Sequence, residues 1–124
     1  MIVAGLGFRT SCSAEELVAL VGRAEEAQGV VATALATPDF KADAPELIRA
    51  AERLGLEVIA ISSKAMLAAQ PHCLTRSPAA LAAIGVAAVS EACALAGAGP
   101  GGMLLAPKLT SAAASCALAQ GHPS

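Results

Sequence analysis

Met1-Ile-Val-Ala-Gly-Leu-Gly-Phe-Arg-Thr-Ser-Cys-Ser-Ala-Glu-Glu16 is the stretch that decides the fold. Ile2 to Leu6 is a short apolar run of the kind that forms a buried strand. Gly5 and Gly7 flank Leu6, so the backbone there can turn sharply and come close to another group. Ser13 and Glu16 have the spacing of a capping box, which starts a helix at Ala14. The stretch reads as strand, glycine turn and helix N-terminus. Such a junction presents free N–H groups and the positive end of a helix dipole, which suits an anion. Arg9 adds a planar cation with paired donors for a carboxylate.

Outward from this junction the pattern alternates. Leu17, Leu20, Val21 and Ala24 recur at helical spacing, with Glu15, Arg23, Glu25 and Glu26 on the other face, predicting a helix from Ala14 to about Gln28 that Gly29 stops. Val30 to Ala36 is a second strand. Thr37 to Asp43 is a loop by its proline and polar residues. Asp43, Pro45 and Glu46 open a second helix with Leu47, Ile48, Ala51 and Leu54 as its apolar face, and Gly55 ends it. Glu57 to Ile61 is a strand, and Ser62 or Ser63 caps a short helix through Gln70. Pro71 to Ser77 is irregular. Ser77-Pro78 opens a short helix that Gly85 closes, and a further helix fits Ala87 to Ala96. Met103 to Ala106 is a brief strand. Ala112 to Ala119 suits a helix by its alanines and a closing strand by its position. Strands alternating with helices predict a single three-layer α/β/α domain over residues 1–124 with a mostly parallel central sheet.

Composition narrows the function. A hydrophobic content of 56% and a mean hydropathy of +0.64 exclude disorder. With two Phe and no Trp or Tyr, the core is built from small and branched aliphatics. A net charge of −2, no long basic run and few rings argue against a nucleic-acid surface. Cys12, Cys73, Cys93 and Cys116 are too far apart for a CxxC pair and read as reduced, mostly buried thiols. No basic region precedes the first apolar run, and Ser90, Glu91 and the glycine loop from Gly97 to Gly102 break the long apolar stretch. The expectation is a cytoplasmic protein with no membrane span, no bound metal and no cofactor. A dinucleotide site would need a third glycine where Thr10 stands. His72 and His122 have no partner at ligand spacing, and no nucleophilic triad is evident.

Arg9, Lys41 and Lys108 each lie at a predicted strand-to-loop boundary. In an α/β sheet such boundaries converge at one end, where ligands sit. The alternative for each is an ordinary surface cation. Asp39 can orient Lys41, act as a general base, or form a turn through its own backbone. Glu91 is one charge amid an apolar helix, either an acid with raised pKa or part of an exposed face. Ser62 and Ser90 are hydroxyl donors or helix caps. Cys12, at a helix N-terminus near Arg9, is either a favoured thiolate or a buried thiol.

The order of motifs resembles the cobalamin (vitamin B12) biosynthesis family that contains CobE and the C-terminal domain of CbiG. The matching features are Gly5 to Arg9 with Ser13 to Glu16, then Ala36 to Ala42, then Ser90 to Ala92, then Leu104 to Lys108, which together cover nearly the whole chain. At this length the chain looks like the free-standing form of the domain. Family members often carry glycine where this chain has Ser11 and cysteine where it has Phe8; the missing glycine narrows any N–H cradle there.

The resemblance implies a role in building the corrin ring, and for CbiG the reaction is opening of a lactone on a cobalt-precorrin. The implied ligand is a precorrin or other tetrapyrrole intermediate bearing many carboxylates, and the implied partners are this intermediate and other enzymes of the pathway. The expected ligand-binding set is Gly5, Gly7, Arg9, Ser11, Cys12, Ser13, Thr37, Asp39, Lys41, Ser62, Glu91 and Lys108, with Asp39 and Glu91 as acid/base candidates. The protein then acts either as a carrier or as a hydrolase-like enzyme. The alternative is an assembly partner of a pathway enzyme, with no ligand of its own.

Overall fold

The first strand, β1 (Ile2–Phe8), runs through both of its glycines without turning. Its side chains alternate between two cores, which sets the architecture. Ala4 and Leu6 enter one core, and Val3 enters the other. The structure is a computed structural model that describes residues 1–74 and 88–121. The short helix expected from Ser77 to Gly85, and His122, lie outside the described residues.

The chain continues through α1 (Ala14–Gln28), β2 (Ala34–Pro38), a 3₁₀ turn (Asp39–Lys41), α2 (Pro45–Leu54), β3 (Glu57–Ile61) and α3 (Ser63–Ala69). After a second 3₁₀ turn (Gln70–His72) come α4 (Val89–Ala98), β4 (Met103–Leu104), β5 (Leu109–Thr110) and β6 (Ala114–Gln120). The described residues thus form an α/β fold with four helices and a six-stranded sheet. Its order is β3-β2-β1-β6-β4, with β5 also pairing β6.

The sheet is mixed, where the sequence suggests a mostly parallel one. β1, β2 and β3 are mutually parallel, while β6 runs antiparallel to β1, β4 and β5. The reason is local. Parallel neighbours need a long crossover, and the first three strands have helices between them. β5 and β6 are joined by a short turn, which only an antiparallel return can close, and β4 runs along β6 in the same direction as β5. The ambiguous alanine stretch is therefore a strand. Its register Leu6↔Cys116 and Val3↔Ala119 puts Cys116 in one core and Ala119 in the other.

Helices cover both faces. Leu17, Leu20 and Val21 of α1 and Leu47 and Ala50 of α2 pack on Leu6, Leu35 and Leu118. Met66 of α3 and Ala92 and Cys93 of α4 pack on Val3, Ala36 and Ile61. Each fully buried Leu of this kind contributes about 1.5–3 kcal/mol. Gly29 and Gly55 end α1 and α2 in the left-handed region, at φ 65° and 69°, as their positions predict.

The starts of β2 and α2 differ from expectation. β2 starts at Ala34 rather than Val30, because Val30 N–H closes onto Glu25 O and Glu25 Oε2 accepts Ala32 N–H at 2.7 Å. These bonds hold the segment after α1 as a connector. Asp43 does not cap α2; Ala44 is the cap residue, without a side-chain bond, and Pro45 opens the helix.

Candidate functional site

α4 lies across β1 in the opposite direction and in close contact. A Cβ on Gly5 would stand 2.0 Å from Ser90 O and 2.5 Å from Ala94 N. One on Gly7 would meet Val89, and one on Gly97 would meet Val3. The N-terminus of α4 therefore sits at the C-terminal end of β1. This is also the end from which α1 and α3 start and to which the parallel strands β2 and β3 point. In open α/β sheets this end forms the ligand crevice.

The sequence-predicted residues fall around this end with distinct tasks. Arg9 follows β1 directly and is exposed; its N–H donates to Ala113 O at 2.8 Å and its carbonyl accepts Cys12 N–H at 3.0 Å. Ser11 is exposed in the same turn. Ser13 caps α1, its Oγ accepting Glu16 N–H at 3.1 Å. The reciprocal half of the capping box is absent. Glu16 Oε2 instead accepts the Ser111 hydroxyl in a short bond and Ala113 N–H at 2.7 Å, tying α1 to the turn before β6. The Ser111 hydroxyl, then the Ala113 N–H, hold the Glu16 carboxyl below its ordinary range. With Glu15 and Glu16 in its first turn, α1 already has negative charge at its dipole end.

Of the two readings of Cys12, the structure agrees with the buried thiol. Cys12 is buried in the core under α1, and its thiol is pushed up to about 11 by burial and then by the Glu16 charge. Lys41 acts against this shift but does not reverse it.

Gly5 and Gly7 are strand residues, and Gly5 is paired on both sides, to Ala36 and Ala117. The missing Cβ of Gly5 makes room for α4. Thr37 is buried and donates its hydroxyl to Leu6 O at 3.0 Å, bridging β2 to β1. Ser62 caps α3 through Ala65 N–H at 3.1 Å. Ser90 is buried in the first turn of α4, and its Oγ has no hydrogen-bond partner among the described residues.

Asp39 is exposed in the 3₁₀ turn after β2; the buried Cys93 thiol is raised by burial first, then by Cys73 and by the Asp39 charge. Lys41, in the same turn, places Nζ 5.0 Å from the centre of the Phe8 ring, a cation–π contact. Glu91, in the first turn of α4, is 0% exposed. Its Oε1 accepts Leu74 N–H at 2.8 Å and its Oε2 accepts Lys108 N–H at 2.9 Å. Lys108 is half-buried.

The structure thus brings Arg9, Lys41, Asp39, Glu91 and Lys108 to one end of the sheet. Lys41 leans over Phe8 on the α1/α2 side, and Lys108 is tied to α4 on the other side, so the cations flank the strand ends from both faces. Two side chains were not singled out by the sequence reading. Phe8 and Phe40 are the only aromatic residues of the chain. Phe8 stands at the end of β1, and Phe40, 59% exposed, lies in the 3₁₀ turn beside it in sequence to Lys41. Their rarity, next to the two cationic motifs, was the available signal.

A groove of about 420 Å³ lies elsewhere, between α3 and the C-terminal end of α4, lined by alanines, glycines, Leu95 and His72. No described helix is long and apolar enough to cross a membrane.

Comparison with known proteins agrees with this architecture. The family model for the cobalamin synthesis G C-terminus matches residues 2–119. The crystal structure of CobE, a protein from the cobalamin (vitamin B12) biosynthetic pathway, is 36% identical, with a TM-score of 0.92 over 100% of this chain and 92% of that one. The cobalamin biosynthesis protein chiG from Agrobacterium tumefaciens is also 36% identical, with a TM-score of 0.81 over 99% of this chain and 100% of that one. A cobalamin biosynthesis protein G homolog from Sulfolobus solfataricus shares the fold at 19% identity and a TM-score of 0.73, over 98% of this chain and 37% of that one. A search of curated protein sequences found no match. With a family match over nearly its full length and full-length structural matches at 36% identity, the chain belongs to the CobE/CbiG C-terminal family of cobalamin biosynthesis proteins.

Proposed function

We propose that the protein works in the cytoplasm and binds a polycarboxylate corrin intermediate at the C-terminal end of its parallel strands. The supporting observation is the convergence of Arg9, Lys41 and Lys108 on that end. A corrin precursor carries acetate and propionate groups around a broad apolar macrocycle. It needs cations at its rim and apolar surface beneath. Arg9 suits a carboxylate bidentately, and Lys41 and Lys108 serve as point charges. Phe40 and Phe8 offer the apolar surface.

Within this reading we favour a carrier. The thiols of Cys12, Cys93 and Cys116 are all held protonated by burial, and Glu91 is occupied with main-chain N–H groups. Asp39 is the acid/base candidate of a hydrolase-like alternative, with Arg9 beside developing negative charge. An assembly role would draw on the exposed Met1 and Met103 at the opposite end of the sheet.

The test is a titration of the protein with hydrogenobyrinic acid and earlier precorrins, followed by visible spectrum. Binding by the wild type that weakens in both Arg9→Ala and Lys108→Ala supports the site. A bound spectrum that stays fixed marks a carrier, and one that evolves with time marks an enzyme. No response to any corrinoid, spectral or thermal, overturns the ligand reading in favour of the assembly partner.

A further inference from the structure

We propose that Glu91 is a positioning residue: its buried carboxylate clasps the chain at Leu74 and at Lys108 and thereby sets where Lys108 meets an anionic ligand. The inference rests on the polycarboxylate reading of this end of the sheet. It goes beyond that reading in giving Glu91 a task other than acid/base chemistry.

The geometry carries it. Glu91 is 0% exposed, and its two oxygens serve two different loops, at 2.8 Å to Leu74 N–H and 2.9 Å to Lys108 N–H. A carboxylate leaves water only when such bonds replace its hydration, and bonds to an ionised acceptor are the strong ones. Glu91 is also in the first turn of α4, where the positive dipole end favours negative charge. α4 itself is wedged onto β1 at Gly5, so the carboxylate hangs from a rigid support. The clasped chain is less regular. Lys108 lies between two strands of two residues each, β4 and β5, which give it few ladder bonds of its own. Its main chain therefore depends on Glu91 for its place at the mouth. A glutamine cannot substitute, because its amide has one acceptor oxygen and would turn an NH₂ toward the other N–H.

A double-mutant cycle on ligand affinity tests this, with hydrogenobyrinic acid as the probe and wild type, Glu91→Gln, Lys108→Ala and the double variant compared. Glu91→Gln and Lys108→Ala are each expected to weaken binding about tenfold, and the double variant to bind within about twofold of Lys108→Ala alone. Losses that multiply in the double variant would show that Glu91 does not act through Lys108, and overturn the proposal. So would an unchanged affinity in Glu91→Gln. Amide hydrogen exchange of the ligand-free wild type gives a second reading that needs no variant to fold. Leu74 and Lys108 N–H are expected to exchange slower than the exposed Thr110 N–H, and exchange as fast as Thr110 overturns the clasp. A wild type that binds no corrinoid overturns the ligand reading and the presentation of Lys108 with it, while protection of both amides would leave the clasp standing as a structural fact.

Discussion

Gly5 is where one residue decides the most. Its α-hydrogen is all that separates β1 from the backbone of α4, and a methyl group there would lie 2.0 Å from Ser90 O. Gly5→Ala is expected to lift α4 and cost about 3 kcal/mol or more, read as a lowered urea midpoint. Thr37→Val keeps the shape but removes the hydroxyl bond to Leu6 O; about 1–3 kcal/mol should be lost in the same assay. The buried thiols set an alkaline limit. Cys12 is raised from 9.0 to about 11, and Cys93 and Cys116 from 9.0 to about 12, mainly by burial. Between these values the unfolded chain has lost thiol protons that the folded chain keeps. Stability should therefore hold below about pH 9 and fall as pH rises toward 12. Urea melts at pH 8 and pH 10 check this, and Cys93→Ala should make the alkaline slope shallower.

At the scale of elements, the sheet is two halves joined by β6. Glu16 of α1 fastens the turn that leads into β6 through the Ser111 hydroxyl and Ala113 N–H. Because these bonds favour the ionised form, the folded carboxyl titrates below its ordinary value of 4.5. The stabilisation is present above that value and is lost as pH falls through the folded one. Glu16→Gln should flatten the acid limb of a stability–pH profile and speed amide exchange at Ala113. β6 itself pairs with β1, β4 and β5, so it is an inner strand although it comes last. A chain ended at Ser111 is expected to lose cooperative unfolding and near-native circular dichroism, since Leu6 and Val3 would each lose a neighbouring strand.

For the whole molecule, the candidate site belongs to no single element. Arg9 comes from the end of β1, Lys41 from the turn after β2, and Lys108 from the loop beside α4. Arg9 is exposed and Lys41 and Lys108 are half-buried, and recognition by such separated surface cations is screened by salt. Affinity for a polycarboxylate corrinoid should drop several-fold between low and physiological ionic strength, with a smaller salt dependence in Arg9→Ala than in wild type. Fluorescence or absorbance titrations at two salt concentrations measure it.

Much of this was legible in one dimension. The strand, the capping serine and α1 follow from Ile2 to Glu16, and Gly29 and Gly55 mark helix ends by a conformational freedom that is local. Placing Arg9 and Lys41 at strand ends needed only the periodicity of the chain. Chain order alone did not reveal the antiparallel half of the sheet, because Ala114 to Gln120 is alanine-rich and its state depends on which strand it meets. Nor could it show that Cys12 is buried, or that the Glu91 carboxylate accepts main-chain N–H groups from Leu74 and Lys108. Propensity, capping and periodicity act between residues close in sequence, so the elements could be read from the residues themselves. Burial, register and the partner of a buried charge arise between residues far apart in the chain, and only the packed tertiary structure decides them.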